Sequence, residues 1–365
     1  MNKSTVIFAA LALFAASCTK TEVVSCDAQG SQRGIGFSAY TAKPTKAAQT
    51  DVTNVDFDSF KVSAIGNGAV YFDDVPFSKN GEGVWASTPV YFWPAYKLNF
   101  YAYNTPAKGT FGRTINATDP QTLTFTPSTT LTEQEDLVAA YAPNKTQPVS
   151  GATDLTFNHY LTQIVVKALN TSSTYKVDVA GVKIAHLDDK VKYTFSTEST
   201  EVATDATDET YSSEFEGNAK TLTAEAQEVM TANTGNKWYL VPQSVTAWDK
   251  SETDNSSKGT YLALKVKITA NGGALRIYPA TGEEYAWMAV PVPASQEFQQ
   301  GHKYTFVIKF FENNGAGNVD PETPGDLDGD GDANDDNGKS IIGGAITFKA
   351  TVNTWAPETE IVIEL

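Results

Sequence analysis

The chain has 365 residues, of which 41% are hydrophobic and 11% aromatic, and its formal net charge is −16. Such an acidic protein repels nucleic acid and anionic membrane surfaces, so neither is expected as a partner. Two cysteines cannot build a disulfide framework, and the length exceeds what one core usually serves, which predicts two domains.

The N-terminus predicts export as a lipoprotein. Lys3 precedes an apolar run over residues 6–14 that is too short to span a bilayer comfortably, and small residues then lead to Cys18. This arrangement resembles a bacterial lipobox, although position 15 is Ala where Leu is expected. The resemblance implies removal of residues 1–17 and lipid on the Cys18 sulfur, the alternative being an ordinary cleaved signal. Because Lys3 is the only charged residue removed, the net charge becomes −16 − 1 = −17.

Beyond Cys18, short runs of Val, Ile, Thr, Tyr and Phe alternate with polar residues between Gly, Pro, Asn and Asp clusters. This period of two predicts an all-β protein with two tandem sandwiches, at 47–150 and 151–365, divided in the polar stretch 143–153. Only residues 131–140 and 223–231 could form short helices, which we interpret as connectors. The clearest predicted strands are 35–39, 59–64, 98–103, 163–168, 261–268 and 304–310.

The first predicted strand is followed by a segment that a protease could cut. Ile35, Phe37 and Ala39 alternate with polar or small residues, and the polar segment 43–48 that follows offers cutting points for a trypsin-like protease. Losing this strand would leave the first sandwich with an apolar groove and unpaired backbone groups, which is costly until another strand binds.

The motifs of common enzymes are missing from the sequence. His159, His186 and His302 are far apart and show no metal-ligand or triad spacing, and His159 is best interpreted as a hydrogen-bonded structural residue. No nucleophile, zinc or phosphate-loop motif occurs, so we predict a protein that is not an enzyme and requires no cofactor. The six tryptophans are mainly expected in the core, the alternative being a glycan-stacking platform on a monomeric surface lipoprotein.

An acidic segment near the C-terminus could hold calcium. Carboxylates alternate along it and Gly331 is its sixth residue, as a calcium loop requires. Its twelfth residue is Asn337 rather than Glu, and no helical pattern flanks it, so a solvated acidic loop is the alternative. The candidate ligands are Asp326, Asp328, Asp330 and Asp332.

Two strands are predicted at the C-terminal end, within 345–365 and separated by a break at 353–357. They could form an edge hairpin of the second sandwich, or one of them could be a detachable strand that fills a groove in another molecule. The apolar residues that would do so are Ile346, Phe348, Ala350 and Val352 in the first strand and Ile361, Ile363 and Leu365 in the second.

In their order along the chain, these elements resemble the Bacteroidales fimbrillins of the FimA and Mfa type, which are type V pilins. The resemblance covers essentially the whole chain. The residues that carry it are Cys18, Ile35 and Phe37 with 45–47, the aromatic segments 91–94 and 98–103, the Phe-x-His-x-Leu-x-x-Ile element at 157–164, and the segments 239–243, 298–306 and 352–355.

The resemblance implies a fimbrial subunit of the cell outer membrane, matured by an arginine- or lysine-specific protease and polymerised with copies of itself or related fimbrillins by donor-strand exchange. The propeptide would span 18–46, with cleavage best placed after Lys46 and Arg33 and Lys43 as alternatives. The Asp-rich insertion 316–340 departs from the simple pattern and indicates a specialised subunit. The adhesive ligand on host or bacterial surfaces is left open.

Replacing Cys18 by Ser should abolish lipid attachment, because the thiol is the acylated group, and should leave the protein soluble in the periplasm. Metabolic labelling with a fatty acid measures this directly. Unchanged labelling of the Cys18→Ser protein would contradict the lipoprotein assignment.

Overall fold

A computed structural model of the chain describes residues 33–41, 59–80, 83–343 and 347–354. The prediction of an all-β protein is confirmed, since only single 3-10 turns interrupt the strands in these residues. In the first half the strands are β1 Gly36–Thr41, β2 Ser59–Gly66, β3 Ala69–Lys79, β4 Trp85–Ser87, β5 Leu98–Tyr103, β6 Thr110–Thr114, β7 Thr122–Thr126, β8 Val138–Lys145 and β9 Thr153–His159.

The second half continues with β10 Thr162–Asn170, β11 Tyr175–Asp188, β12 Val191–Thr194, β13 Ser199–Val202, β14 Asp208–Glu214, β15 Lys220–Thr221, β16 Gln227–Glu228, β17 Trp238–Leu240, β18 Gln243–Ser244, β19 Tyr261–Ala270, β20 Leu275–Tyr278, β21 Ala286–Pro291, β22 Glu297–Phe298, β23 His302–Phe310, β24 Asn318–Val319 and β25 Thr347–Thr354. The 3-10 turns are Leu131–Glu133, Glu216–Asn218, Asn271–Gly273 and Ala333–Asp336.

Seven strands form the first sheet in the order β1-β4-β3-β2-β5-β8-β9, and β9 pairs back to β1 so that the sheet closes. Its interior is an aromatic core in which alternate residues of each strand point inward, as Phe60, Val62 and Ala64 do in β2. The boundary expected near residue 150 stays a prediction; the closed sheet itself continues through β9.

Two sheets of the second half enclose the largest core. One has the order β16-β10-β23-β25 and the other β14-β11-β19-β21-β24. In β23 every second residue from Tyr304 to Phe310 is buried, as expected for a strand with one covered face. In β11 burial is continuous from Val177 to Leu187, because both faces of that strand are covered.

A further sheet, in the order β13-β12-β7-β6, combines strands from both halves of the chain. Its apolar face packs on the outside of the closed sheet, with Leu123 and Tyr193 in one cluster with Tyr101 and Tyr103. Tyr160 and Leu161, which connect β9 to β10, are buried in the same cluster. The two halves are therefore joined by a shared apolar layer.

The prediction of two short connector helices was wrong. Residues 131–140 contain only the 3-10 turn Leu131–Glu133, and their last three residues begin β8, where Val138, Ala139 and Ala140 are buried. Residues 223–231 contain β16, which pairs with β10. Both segments are too short to be stable as isolated helices, so strand pairing decides their conformation.

Candidate functional site

Strand β1 closes the first sheet by pairing on both sides. It runs parallel to β9 from Phe37, opposite Thr153, to Thr41, opposite Phe157. On its other side it pairs antiparallel with β4 for two residues. Just before β1, the Ile35 amide donates to the Tyr91 carbonyl at 2.7 Å. Removing β1 would therefore leave unpaired backbone groups along β9 and β4.

The side chains of this segment fill the core of the closed sheet. Phe37 is fully buried, with its ring 4.8 Å from that of Phe77 and 5.0 Å from that of Phe100. Ile35 is 2% exposed, and Ala39 packs against the same core from a half-buried position. Burial of Ile35 and Phe37 stabilises the sheet by about 1.5–3 kcal/mol each. The predicted displaced strand thus occupies the centre of an aromatic cluster.

The chain connects β1 to β2 through residues 42–58, whose only basic residues are Lys43 and Lys46. Both predicted cleavage residues lie outside the described part of the chain, as does Cys18. Arg33 is described, and its guanidinium donates to the Val149 carbonyl at 2.7 Å. Cleavage after Arg33 would leave β1 joined to β2, so only a cut within 42–58 separates the two strands.

The first C-terminal candidate is an edge strand of its own sheet. β25 pairs antiparallel with β23 over eight residues, from Thr347 opposite Lys309 to Thr354 opposite His302. Its described side chains do not all follow the predicted alternation. Ala350 packs against the core, but Val352 is 41% exposed and Thr351, on the opposite face, is buried. The pairing includes Phe348, opposite Ile308, whereas Ile346, Ile361, Ile363 and Leu365 lie outside the described residues.

In the acidic loop the structure gathers Asp326, Asp328 and Asp336, whose carboxylate oxygens lie within 4.8 Å of one another. The predicted ligands Asp330 and Asp332 are exposed and not part of this group. The 3-10 turn Ala333–Asp336 places Asp336 close to Asp326 and Asp328. The sequence pattern did not predict Asp336 as a ligand, because only carboxylates at alternate positions were considered.

Hydrogen bonds already use several of these carboxylate oxygens. Asp326 accepts from the Gly329 amide at 2.7 Å and from the Thr281 hydroxyl, which lowers the pKa of Asp326. Asp336 accepts from the Leu327 amide at 2.6 Å and from Lys339 at 2.9 Å. The loop is therefore ordered by its own carboxylates, and calcium binding stays a prediction.

Side chains of β11 and β19 hold residues 320–322 of the Asp-rich insertion, and the β19 contact is the Tyr261 hydroxyl, which donates to Asp320 at 3.2 Å. Buried Lys183 pairs with buried Asp320 at 2.8 Å. The Nε2 of His186 lies 2.8 Å from Glu322, and this hydrogen bond raises the pKa of His186 and lowers that of Glu322. No sequence pattern points to this pair, because 136 residues separate its members.

The five described tryptophans, Trp85, Trp93, Trp238, Trp248 and Trp287, are all buried. Trp355 lies outside the described residues. A glycan platform built from exposed tryptophans therefore has no support in the described part of the chain. The same residues contain no helix that is long and apolar enough to cross a membrane.

Comparison with known proteins agrees with the earlier resemblance. The sequence profile of a family described as fimbrillin-like matches residues 31–323. No curated protein sequence matches the chain.

Among solved structures, a candidate cell adhesion protein of Parabacteroides distasonis superposes with a TM-score of 0.50 at 11% identity, covering 90% of this chain and 98% of its own. One of Bacteroides ovatus has a TM-score of 0.49 at 13% identity, covering 90% and 100%. The fimbrial anchor protein Mfa2 of Porphyromonas gingivalis has a TM-score of 0.34 at 12% identity, covering 76% and 91%. At 11% identity, the similarity to the Parabacteroides distasonis structure shows a shared fold and nothing about function.

Replacing Phe37 by Ala should lower the free energy of unfolding of the uncleaved protein by about 3–5 kcal/mol, because it leaves a cavity among aromatic rings. Denaturant unfolding measures this. Tyr40→Ala is the matched control on the same strand, since Tyr40 is 57% exposed and its loss should cost less than about 0.5 kcal/mol. Equal effects of the two substitutions would contradict the assignment of β1 to the core.

If the clustered carboxylates hold calcium, millimolar calcium should raise the melting temperature, by the equivalent of about 2.7 kcal/mol at 100 times the Kd. The Asp326→Asn/Asp336→Asn protein should lose this shift. The Asp330→Asn/Asp332→Asn protein removes the same charge from the same loop and should keep it. A parent protein that melts at the same temperature with and without calcium would refute the calcium site.

Proposed function

The chain belongs to the fimbrillin-like family, and from this premise we propose that it is a structural, non-catalytic subunit of a cell-surface fimbria that polymerises by donor-strand exchange and contributes to adhesion. The single observation that supports the mechanism is the position of β1. That strand completes the closed sheet and fills its core with Phe37, yet its link to the rest of the sheet passes through Lys43 and Lys46.

Cleavage changes the competition between strands without changing the groove. While β1 is tethered, it binds its groove at an effective concentration in the range of millimolar or above, so an external strand cannot compete. After a cut at Lys46 the strand can dissociate and is diluted. A donor of similar apolar pattern then restores the ladder hydrogen bonds and the buried side chains, at little net cost in contacts.

Residues 361–365 are the better donor of the two C-terminal candidates. β25 is committed to its own sheet through eight paired residues, and withdrawing it would expose Tyr304, Phe306 and Ile308 on β23 at an edge. Residues 361–365 follow β25 in sequence, and the spacing of Ile361, Ile363 and Leu365 would put them on one face of an extended strand, as a groove-filling strand requires. We therefore propose this terminal strand as the donor.

Export, lipidation and cleavage would precede strand exchange in the cell. The precursor would be exported, lipidated at Cys18 and held at the outer membrane until a trypsin-like protease releases residues 18–46. The donor's partners would be copies of this chain or related fimbrillins. No cofactor is required for such a reaction, because strand exchange makes and breaks no covalent bond.

Ile361→Asp/Ile363→Asp should leave the monomer folded and stop filament growth, because each charge would replace an apolar side chain in the groove. Val362→Asp is the matched control, since it adds a charge on the opposite face of the same strand. Filament length by electron microscopy and ladders on unheated gels measure assembly. Normal filaments from the double variant would move the donor role to β25.

Lys46→Ala should block maturation before assembly, so that the uncleaved chain accumulates as a monomer. Lys43→Ala is its control and should mature normally, because Lys43 precedes Pro44, a poor arrangement for trypsin-like cutting. Immunoblotting of surface fractions separates precursor from product. Maturation of the Lys46→Ala chain at the normal rate would rule out Lys46 as the cleavage point.

A further inference from the structure

Four large apolar side chains are exposed at one end of the groove that β1 fills. Val90 is 54% exposed, Phe92 47%, Tyr96 39% and Val149 94%. We call these four residues the rim patch. Contiguous exposed apolar surface of this kind marks an interaction site more often than scattered single residues do.

The rim patch surrounds the beginning of β1. Gly34 forms an antiparallel bridge with Phe92, and a methyl group on Gly34 would lie 2.8 Å from Cγ1 of Val90. The Arg33 guanidinium donates to the Val149 carbonyl. The segment that precedes β1 thus lies against three of the four patch residues.

Tyr71 connects the fourth residue to the others. Its hydroxyl donates to the Phe92 carbonyl at 2.6 Å, and its ring centroid lies 6.3 Å from that of Tyr96. The alternation along 90–93 explains why the patch is exposed, since Trp93 points into the core and Tyr91 packs against it, whereas Val90 and Phe92 point outward. Tyr71 therefore links Tyr96 to Phe92, as Arg33 and Gly34 link Val149 and Val90 to it.

The opposite end of the groove has a different character. There β1 ends at Tyr40 and Thr41, and the neighbouring residues of β9 are the exposed Thr156 opposite Tyr40 and the half-buried Asn158. Tyr40 leaves with β1 after cleavage. Phe157 is buried, so the side chains of β9 that reach solvent at this end are polar, whereas the four exposed apolar side chains of the rim patch lie at the beginning of the groove.

The departure of β1 also frees backbone groups inside the rim patch. The Ile35 amide no longer pairs with the Tyr91 carbonyl, and the Trp93 amide loses the Arg33 carbonyl that it contacts at 3.0 Å. Because Arg33 and Gly34 leave with the propeptide, Val90, Phe92 and Val149 become more exposed. An incoming chain must cover both these polar groups and the apolar side chains.

The donor has a fixed polarity. Because its body precedes residue 355, a donor strand in the groove would place the linker 355–360 at one end and Leu365 at the other. The linker begins with the apolar residues Trp355, Ala356 and Pro357. Since the rim patch is the apolar end, the linker fits there, which sets the donor in the direction of β1 and parallel to β9.

We propose that the rim patch is the docking surface for the 355–360 linker of a second copy of this chain, and that the donor strand enters the groove parallel to β9. This inference rests on the proposed function. Charge supports the same orientation, because Glu358 and Glu360 of the linker would approach exposed Lys97 beside Tyr96. Loss of residues 1–46, which carry five basic and two acidic residues, takes the net charge to −16 − 3 = −19, and such a local attraction offsets part of the repulsion between two copies.

Peptide binding tests the patch. The acceptor is the full-length Ile361→Asp/Ile363→Asp chain, which cannot donate to itself, cleaved after Lys46 in the presence of labelled peptide. The peptides are residues 355–365 and residues 359–365. Both should bind, and the longer one should bind at least tenfold more tightly. This gain should vanish in the Val90→Asp/Phe92→Asp acceptor and persist in the Leu275→Asp control, whose site is 49% exposed in the second half of the chain.

Disulfide trapping tests the direction. Both native cysteines, Cys18 and Cys26, precede Lys46, so the cleaved acceptor contains no other thiol. A 355–365 peptide with Pro357→Cys should crosslink to the Phe92→Cys acceptor and not to Thr156→Cys. The peptide with Leu365→Cys should show the reverse.

The outcomes separate the two claims. Failure of both peptides to bind would overturn the proposed function and the inference with it. Equal affinities of the two peptides, or crosslinks in the reversed pattern, would overturn the rim-patch inference alone and leave donor-strand exchange standing.

Discussion

The first sheet of this protein is closed by a strand that the rest of the sheet cannot replace. Within the described residues only β1 lies between β4 and β9, and only β1 carries Phe37 into the aromatic core. Backbone pairing and apolar burial therefore depend on the same short segment. Whenever that segment leaves, the sheet has both an unpaired edge and an open core, and these are the two properties that a donor strand must satisfy.

The rest of the structure keeps the groove in shape. The sheet formed by β6, β7, β12 and β13 buttresses the outside of the closed sheet through Tyr101, Tyr103 and Tyr193. Tyr160 and Leu161 fix the passage from β9 to β10. Because the C-terminal end of β9 is held by this passage and by the pairing of Asn158 and His159 with β8, β9 can remain a template for a new strand after β1 has gone. The Asp-rich insertion is attached elsewhere, to β11 and β19, and does not take part in this groove.

The alternation of apolar and polar residues with a period of two predicted much of the fold. It identified β1 through Ile35 and Phe37, and β23 through the buried residues from Tyr304 to Phe310. It could not show that β1 lies beside β9, because more than 100 residues separate the paired positions. The missed contact of His186 with Glu322 is also a product of tertiary folding. Asp336 was missed for a local reason, because a 3-10 turn rather than alternate spacing brings it close to Asp326. The prediction of a helix at 131–140 was wrong because pairing of β8 with β5 and β9 determines the conformation of Val138, Ala139 and Ala140.

The central claim is that β1 leaves the mature subunit. The N-terminal sequence of protein recovered from assembled filaments on the cell surface tests this most directly. The account predicts a chain that starts at Ala47 and lacks Ile35 and Phe37. Filaments whose subunits begin at Cys18 or at Gly34, with β1 still present, would contradict it.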